Sequence, residues 1–255
     1  MSLIRLILNR IPRPILIRAS MYFMPLAGFF YRGKGLIDPI NGRSYRKFLP
    51  YGYGRLRENA LSPATMSLER HRALWLFLKR RTDFFKKPAA VLHIAPEQAF
   101  YKRFKRLKHL EYITVDLHSP LADVKADITH LPFDDNRFDV IFCNHVLEHI
   151  PDDRKAISEL YRVMKPGGYG IFQIPLDKNR EKTFEDPSIT DPSKRAELFG
   201  QYDHVRIYGR DYFKRLREAG FGTEALEIKA LFTPDEIEKF ALDKEEILPL
   251  VKKPL

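Results

Sequence analysis

The stretch ADITHLPFDDNRFDVIFCNHVLEHIPDDRKAISELYRVMKPGGYGIFQIP, residues 126–175, decides the fold of this chain. Its apolar run at 138–143 is typical of a buried parallel strand. Pro151 and the two acidic residues after it predict the start of a helix, whose apolar residues recur at helical spacing as far as Met164. A Lys-Pro-Gly-Gly segment ends that helix, and 169–174 predicts the next strand. The order of strand, helix, glycine turn and strand indicates an α/β protein.

Two further strands are predicted upstream of this stretch. Residues 90–94 form the first, and 112–115 form the second, which ends at Asp116. Asp116 follows the turn at 95–99 by about twenty residues, which is the separation at which a dinucleotide-type fold offers a carboxylate to ribose hydroxyls. A short third strand is predicted around Val124.

Polar residues follow several of these strands. Asp116 ends the second strand, Asp127 follows the third, and Asn144 follows the strand at 138–143. Ligands of open α/β sheets bind outside the carboxyl ends of the strands. We therefore expect these three side chains to face one crevice.

Together these segments resemble the class I S-adenosylmethionine (SAM)-dependent methyltransferases, and among them the broad type 11 group. The resemblance implies a Rossmann-like, seven-stranded, mostly parallel sheet with an antiparallel C-terminal edge strand at 246–252, preceded by a basic N-terminal helical and irregular extension. It implies a degenerate zinc-ribbon-like region and helix at 37–88 and a methyltransferase domain at 89–255, whereas the composition distinguishes a basic apolar segment at 1–36. The resemblance also implies S-adenosyl-L-methionine as the cofactor.

The turn at 95–99 departs from the pattern of that group, which carries G-x-G-x-G where this chain has Ala95, Glu97 and Ala99. Glycine serves there for positive φ and for close approach of the backbone to the ligand. The run HIAPE, residues 93–97, resembles a variant motif in one bacterial branch. Two interpretations remain open. Glu97 binds the amino group of the methionine moiety, or the site has lost its cofactor and the protein is a non-catalytic binding or scaffold protein.

The resemblance assigns cofactor contacts to the turn and to the ends of the following strands. Asp127 corresponds to the position that faces the adenine amino group in the resembled family. The predicted cofactor-binding residues are His93, Ala95, Glu97, Asp116, Leu117, Asp127, Ile128 and Asn144.

His204 and His145 are the predicted catalytic residues. In the resembled group a His in a similar segment lies over the active-site mouth, just before a helix that ends in Ala-Gly-Phe, here 219–221. An imidazole suits general base work near neutral pH, and Asp203 would orient it.

Arg206 and Tyr208 are the predicted substrate-binding residues. A guanidinium would suit an anionic acceptor such as a phosphate or a carboxylate. The alternative is that His204 and Arg206 only anchor their loop onto the sheet.

One pattern suggests a metal. His145, Glu148 and His149 fit H-x-x-E-H, a zinc-peptidase motif in which both imidazoles lie on one helical face. Here the pattern begins at the end of a strand, and Pro151 follows it closely. Because this leaves little room for a helix that projects both rings at one ion, we predict no metal.

A second region raises the same question. Relatives carry two C-x-x-C pairs of a zinc ribbon where this chain has Asp38, Asn41, Ser62 and Thr65. Thiolates make such a site bind zinc, and none remains here. We predict no structural zinc, and we expect hydrogen bonds between these polar residues to keep the turn geometry.

The N-terminal segment is basic and apolar. The first acidic residue of the chain is Asp38, and the apolar run at 19–31 is interrupted by Pro25. This run is shorter than the roughly twenty residues needed to span a bilayer. It fits a segment that lies in a membrane interface and is attracted by anionic lipid, or one that packs against the catalytic domain. Cys143 is the single cysteine, which excludes an intrachain disulfide and agrees with a cytoplasmic enzyme. Because of its basic apolar segment, we expect this enzyme to be peripheral at the inner membrane surface.

The predicted function is methyl transfer from SAM to a small-molecule, glycan or lipid-linked acceptor. The formal net charge of +11 leaves an RNA methyltransferase as an alternative, since a basic surface binds phosphates. Nucleic acid is the less favoured partner because no recognisable RNA-binding module accompanies that charge. The altered turn at 95–99 leaves the scaffold protein as a further alternative.

Overall fold

The computed structural model describes residues 12–52 and 56–255. The chain divides into two compact units. The N-terminal unit comprises 1–85, 97–106 and 228–246, and the sheet unit comprises 86–96, 107–227 and 247–255. Residues 1–11 of the predicted segment 1–36 lie outside the described residues. The predicted domain boundaries stay a prediction, although 97–106 and 228–246 group with the N-terminal unit.

Helices and strands alternate along most of the chain. The turn Leu147–His149, which follows the strand Phe138–Cys143, is a short 3-10 helix. In chain order the elements are α1 (Arg13–Phe30), β1 (Arg32–Asp38), β2 (Arg43–Tyr45), β3 (Leu49–Tyr51), β4 (Arg57–Leu61), α2 (Glu69–Arg81), β5 (Ala89–Ile94), α3 (Gln98–Phe104), β6 (Leu110–Val115), β7 (Phe138–Cys143), α4 (Asp153–Val163), β8 (Met164–Ile171), β9 (Phe184–Glu185), α5 (Pro192–Phe199), β10 (Arg206–Ile207), α6 (Tyr212–Glu218), β11 (Gly222–Glu227), α7 (Ile228–Leu231), α8 (Pro234–Lys239) and β12 (Ile247–Lys252).

A six-stranded sheet forms the centre of the sheet unit, in the order β11-β12-β8-β7-β5-β6. The four strands β8, β7, β5 and β6 are parallel. In their register Leu92 lies opposite Ile113 on one side and Ile141 on the other. The predicted α/β fold with a mostly parallel sheet is therefore confirmed.

Two details of the predicted sheet are wrong. The C-terminal strand β12 is antiparallel, as expected, but it lies between β8 and β11 and not at the edge. The segment around Val124 forms only an isolated bridge with Val115, so the described sheet has six strands. Side-chain bonds add to a few backbone bonds at this edge, since the Thr114 hydroxyl lies 2.8 Å from both Leu121 O and the Asp123 carboxylate, and Val124 N donates to Thr114 O at 3.0 Å.

One face of this sheet packs on α4 and α6 in the main apolar core. Leu92 of β5 and Ile141 of β7 share this core with Leu160 of α4 and Leu216 of α6, and all four side chains are fully buried. The start of α4 is fixed by Asp152, whose carboxylate accepts a hydrogen bond from Lys155 N at 2.9 Å, which is an ordinary N-cap. This packing fixes the positions of the strand ends of β5 and β7 relative to each other.

A buried carboxylate organises the start of the N-terminal unit. Asp38 is fully buried, and its Oδ2 accepts hydrogen bonds from the hydroxyls of Ser62 at 2.6 Å and Thr65 at 2.5 Å, with Ser67 at 3.4 Å. Its Oδ1 accepts from Ile40 N at 2.9 Å. The hydroxyls thus hold the two turns together around one carboxyl group, as expected for Asp38, Ser62 and Thr65. Asn41 is not part of this set, since its amide bonds to the Tyr45 hydroxyl and to Arg43 N.

A buried guanidinium gathers the irregular segments of the same unit. Arg72 of α2 is fully buried and donates to the carbonyls of Ala60 at 2.9 Å and Ser67 at 2.7 Å. It also donates to Phe240 O at 2.7 Å and Ala241 O at 2.5 Å. Burial lowers the pKa of Arg72 to about 10, so it stays charged at neutral pH. These bonds explain why 228–246 groups with the N-terminal segments.

Replacement of the buried anion should destabilise the N-terminal unit. In Asp38→Asn the amide nitrogen would face hydroxyl donors, so we expect a loss of about 3 kcal/mol of unfolding free energy, as for lost hydrogen bonds to a buried charge. Urea unfolding measures this loss. The exposed Glu58→Gln in the same unit should change stability by less than about 0.5 kcal/mol. Equal stability of both variants would show that Asp38 does not organise the turns.

Candidate cofactor and acceptor site

Three predicted site residues immediately follow neighbouring parallel strands. Ala95 follows β5, Asp116 follows β6, and Asn144 follows β7. Because β6, β5 and β7 are adjacent and parallel, these residues lie along one carboxyl edge of the sheet. Ala95 N donates to Val115 O at 2.8 Å, which ties the ends of β5 and β6 together. This edge is where ligands of open α/β sheets bind.

Two residues at this edge have a left-handed backbone without being glycine. Ala95 has φ +48° and His145 has φ +54°. For residues with a Cβ this conformation costs roughly 1–2 kcal/mol. Ala95 therefore keeps the backbone conformation for which glycine is used at this turn. Such strain concentrates at functional sites.

The two predicted carboxylates are held in the same manner. Oδ1 of Asp116 accepts hydrogen bonds from the backbone N–H groups of His118 and Ser119, both at 2.7 Å. Oδ1 of Asp127 accepts from the N–H and the hydroxyl of Thr129, both at 2.8 Å. The Thr129 backbone and side-chain bonds hold the pKa of Asp127 below its ordinary value. Each carboxylate uses one oxygen in these bonds, so the second can accept a ligand hydroxyl or amino group.

The neighbouring apolar residues differ in exposure. Leu117 beside Asp116 is 49% exposed, whereas Ile128 beside Asp127 belongs to the core. An exposed leucine next to a ligand carboxylate can serve as an apolar wall for a flat ring. Asn144 is buried, and its Oδ1 accepts from Gln173 N at 3.3 Å.

Two predicted cofactor residues have side chains with close protein neighbours. The His93 imidazole is fully buried, with Nδ1 2.7 Å from the Tyr112 hydroxyl and the ring beside Phe142, so its side chain is part of the sheet packing. Glu97 precedes α3 in the N-terminal unit, and its Oε1 lies 3.4 Å from His71 Nε2. An imidazole is thus an immediate neighbour of the carboxylate predicted to bind the methionine moiety.

The segment around His204 lies against the turn that follows β7. Val205 N donates to Glu148 O at 2.9 Å. The rings of His149 and His204 are 4.7 Å apart between centroids, edge to face. His204 is 8% exposed, and its Nδ1 lies 3.0 Å from Phe199 O. Burial lowers the pKa of His204, so the ring is neutral near pH 7 with Nε2 able to accept a proton or an ion.

His145 lies at the same turn. Its Nδ1 is 3.3 Å from Oε1 of Glu148, whose side chain is almost completely buried. Burial opposes the ionisation of Glu148, but the neighbouring His145 imidazole outweighs this and leaves the pKa of Glu148 below its ordinary value. The turn therefore presents a buried anion among three imidazoles.

The predicted substrate-binding role of Arg206 is not supported by its geometry. Its side chain is 3% exposed, and it donates to the carbonyls of Leu147 at 2.8 Å, Ile150 at 2.5 Å and Pro151 at 2.8 Å. Its Nε donates to Glu185 at 2.7 Å. Because four acceptors of the protein occupy the guanidinium, Arg206 anchors the turn after β7, which is the alternative that the sequence left open.

Tyr208 is likewise an internal residue and not a substrate contact. It is fully buried, and its hydroxyl donates to Asp153 Oδ2 at 2.6 Å. Arg215 binds the same carboxylate at 2.9 Å and Glu185 at 2.7 Å. These ion pairs connect α6, the start of α4 and the short strand pair β9–β10.

Glu148 and His149 are the functional candidates that sequence reasoning set aside. The H-x-x-E-H pattern is the available signal, but the sequence predicts no metal there because little room is left for a helix that projects both His rings at one ion. Their partner is His204, more than fifty residues further along the chain. No local spacing predicts that meeting, because it depends on the bonds made by Arg206.

Comparison with known proteins places a methyltransferase domain of type 11 on residues 80–172. This match supports the predicted resemblance over that stretch, which is about a third of the chain. The enzyme class and S-adenosyl-L-methionine as the cofactor belong to the proposal below. The match covers the strands β5 to β8 and the edge that carries Asp116, Asp127 and Asn144. The variant motif at 93–97 and the zinc-ribbon-like origin of 37–88 stay predictions.

Curated relatives match mainly over short segments. A sterol 24-C-methyltransferase of Schizosaccharomyces pombe is 39% identical over 51 residues, 20% of this chain and 14% of that protein. A ubiquinone/menaquinone biosynthesis C-methyltransferase of Haemophilus ducreyi is 47% identical over 45 residues, 18% of this chain and 17% of that protein. The chain thus spans less than a fifth of the length of these two relatives.

Longer matches are more distant. A malonyl-[acyl-carrier protein] O-methyltransferase of Yersinia pestis is 23% identical over 198 residues, 73% of this chain and 72% of that protein. Among solved structures, a 1,6-didemethyltoxoflavin-N1-methyltransferase of Burkholderia thailandensis with bound S-adenosylhomocysteine is 14% identical, with a TM-score of 0.49 over 72% of this chain and 77% of that one.

The anchoring role of Arg206 predicts a large effect of a charge-conserving change. Lysine cannot reproduce the forked bonds to three carbonyls, so Arg206→Lys should lower the unfolding free energy by about 3 kcal/mol in urea titrations. Arg210→Lys is the matched control, since its side chain is 61% exposed and should change stability by less than about 0.5 kcal/mol. A stable Arg206→Lys variant would restore the interpretation of Arg206 as an acceptor clamp.

Proposed function

We propose that the protein transfers a methyl group from SAM to a small-molecule, glycan or lipid-linked acceptor. The observation that carries the proposal is the carboxyl edge of β5, β6 and β7, where the carboxylates of Asp116 and Asp127 each keep one oxygen for a ligand. The family match over 80–172 supports the reaction type. The named activities of the relatives, which include a ubiquinone/menaquinone biosynthesis C-methyltransferase and a malonyl-[acyl-carrier protein] O-methyltransferase, support a small-molecule acceptor group.

The residues of this edge fit the parts of the cofactor. Asp116 would accept hydrogen bonds from the ribose hydroxyls, and Asp127 from the adenine amino group. Leu117 would cover one face of the adenine, and the strained backbone at Ala95 would let the chain approach the ligand. Glu97 remains our candidate for the amino group of the methionine moiety, in competition with its neighbour His71.

The bound cofactor supplies an electrophilic methyl group on a sulfonium. The protein has to align the acceptor with it and, where an O–H or N–H group reacts, to remove a proton. His204 is our candidate for the base that accepts this proton, because burial keeps its imidazole neutral. His145, at the start of the same turn, is the second candidate. An acceptor carbon or a neutral amine would need alignment more than a base.

The RNA alternative is weakened by the contacts of the basic residues. Lys102 donates to Met21 O at 3.2 Å and lies over the Tyr22 ring, and Arg103 donates to Ala99 O at 3.1 Å. Arg80 pairs with Glu236 at 2.8 Å. Part of the basic surface therefore serves the internal structure of the N-terminal unit and not phosphate binding.

The exposed face of α1 favours a membrane surface as a partner. Within the described part of the chain, no helix is long and apolar enough to cross a bilayer. However, α1 carries six exposed apolar side chains: Ile15 (56%), Tyr22 (71%), Phe23 (67%), Leu26 (64%), Phe29 (61%) and Phe30 (73%). Exposed basic residues follow the helix directly: Arg32, Lys34, Arg43, Arg46 and Lys47.

An aromatic face beside cationic residues suits the interface of an anionic bilayer. We assign this face to peripheral contact with the inner membrane surface of a cytoplasmic enzyme. Such contact would bring the protein to lipid-linked acceptors.

Removal of the ribose carboxylate should abolish cofactor binding. Asp116→Ala loses the acceptor for both ribose hydroxyls, so we expect SAM and S-adenosylhomocysteine to bind wild type in calorimetric titrations and to bind the variant at least about 100-fold more weakly, which corresponds to about 2.7 kcal/mol. The exposed Asp134→Ala is the matched control. Absence of binding to folded wild type would favour the scaffold interpretation.

Loss of two exposed aromatic side chains should release the protein from anionic vesicles. Phe23→Ser with Phe30→Ser should weaken cosedimentation with phosphatidylglycerol vesicles by more than about tenfold, since each buries apolar area in the interface. Phosphatidylcholine vesicles and high salt should also reduce binding to wild type. Tyr202→Ser, an exposed aromatic in the sheet unit, should have no effect. If the double variant binds the vesicles as well as Tyr202→Ser does, α1 is not the membrane contact.

A further inference from the structure

Three side chains of the sheet unit meet with the geometry of a metal-binding cluster. Glu148, His149 and His204 each offer one ligand atom, and these atoms lie within 4.8 Å of one another. Glu148 and His149 belong to the 3-10 turn after β7, and His204 precedes β10. We call these three residues the Glu-His-His cluster.

The carboxylate of this cluster lacks the hydrogen bonds that a buried anion requires. Glu148 is 1% exposed, and neither of its side-chain oxygens accepts a hydrogen bond of normal geometry from the described residues. Its nearest imidazole outside the cluster is His145, whose Nδ1 lies at 3.3 Å from Oε1. A buried carboxylate without such bonds is costly unless a cation compensates its charge. The site therefore points to a bound positive ion.

Both imidazoles of the cluster have a protein acceptor beside Nδ1. Nδ1 of His204 lies 3.0 Å from Phe199 O, and Nδ1 of His149 lies 3.3 Å from Asp203 O and 3.5 Å from Asp203 Oδ2. These acceptors assign the N–H to Nδ1 in both rings and leave Nε2 with its lone pair. Histidines that bind metals almost always donate their other ring N–H to a carbonyl or a carboxylate in this manner.

We propose that Glu148, His149 and His204 bind a divalent transition-metal ion. Two imidazole nitrogens and one carboxylate form a donor set typical of Zn²⁺ and of non-haem Fe²⁺. Mg²⁺ and Ca²⁺ prefer oxygen ligands alone. This proposal differs from the sequence-based prediction, which is that no metal binds here. The H-x-x-E-H pattern supplies two ligands, and the third comes from His204 and not from His145.

A small closing movement suffices for coordination. Ligand atoms about 2.1 Å from one tetrahedral ion lie about 3.4 Å apart, so atoms that lie within 4.8 Å of one another have to approach by no more than about 1.4 Å. Side-chain rotation can supply such a change because His149 is only partly buried. The backbone of the cluster is already held by Val205 N on Glu148 O and by Arg206 on the carbonyls of the turn.

Three protein ligands leave at least one position on the ion open. If the proposed methyl transfer is correct, on which this step rests, an acceptor hydroxyl would bind there and release its proton to solvent. The resulting oxygen anion would attack the sulfonium methyl carbon, forming an O–CH₃ bond as the C–S bond breaks, and the electron pair of that bond would remain on the sulfur as a neutral thioether. Nε2 of His204, bound to the ion, would then not act as a proton acceptor.

Cobalt titration of metal-free protein tests the site without any methyl transfer. Co(II) is a visible probe of nitrogen and oxygen coordination, so wild type should bind one equivalent with ligand-field absorption, and Zn(II) should displace it. Glu148→Gln and His204→Gln should each weaken Co(II) binding by more than about tenfold, the loss that even an outer partner of a metal site causes. His109→Gln, a histidine of the same unit outside the cluster, should bind Co(II) like wild type.

The outcomes separate the metal site from the proposed function. Glu148→Gln should still bind S-adenosylhomocysteine in calorimetric titrations, which also shows that it is folded. If this variant does not fold, His204→Gln and wild type decide the question. Absence of stoichiometric Co(II) binding by wild type, or equal binding by wild type and the folded cluster variants, would overturn the proposal.

Discussion

Buried carbonyl groups of irregular segments need hydrogen-bond donors, and in this protein two buried arginines supply them. Buried backbone polar groups are nearly always paired, so a loop can lie inside a protein only with such partners. Arg72 binds four carbonyls of the N-terminal unit, and Arg206 binds three carbonyls of the turn after β7. The candidate acceptor site depends on the second of these, because Arg206 draws the His204 segment onto the turn that carries Glu148.

The parallel sheet was predictable from sequence because each of its strands has a strong local signal. The apolar run of β7, the cap of α4 and the acid at the end of β6 are all local features, and the structure has them near the expected residues. The position of β12 was not predictable in the same way. Its antiparallel direction follows from the chain path, but its place between β8 and β11 depends on pairing over long sequence distances.

The candidate site was predictable in its cofactor half and not in its acceptor half. Asp116 and Asp127 follow strands, and the sheet edge brings strand ends together whatever the loops do. Arg206 and Tyr208 have residue types common in substrate sites, yet both are used internally. Residue type alone does not distinguish a guanidinium that binds ligand from one that binds carbonyls, because the difference lies in tertiary contacts.

We propose that SAM binds along the carboxyl edge of β5, β6 and β7. A crystal structure of the protein with S-adenosylhomocysteine would reveal the ligand's position. We expect the ribose hydroxyls on the Asp116 carboxylate, the adenine amino group on Asp127, and the adenine ring against Leu117. Density for the ligand away from Asp116 and Asp127, with both carboxylates in contact only with protein, would contradict this proposal.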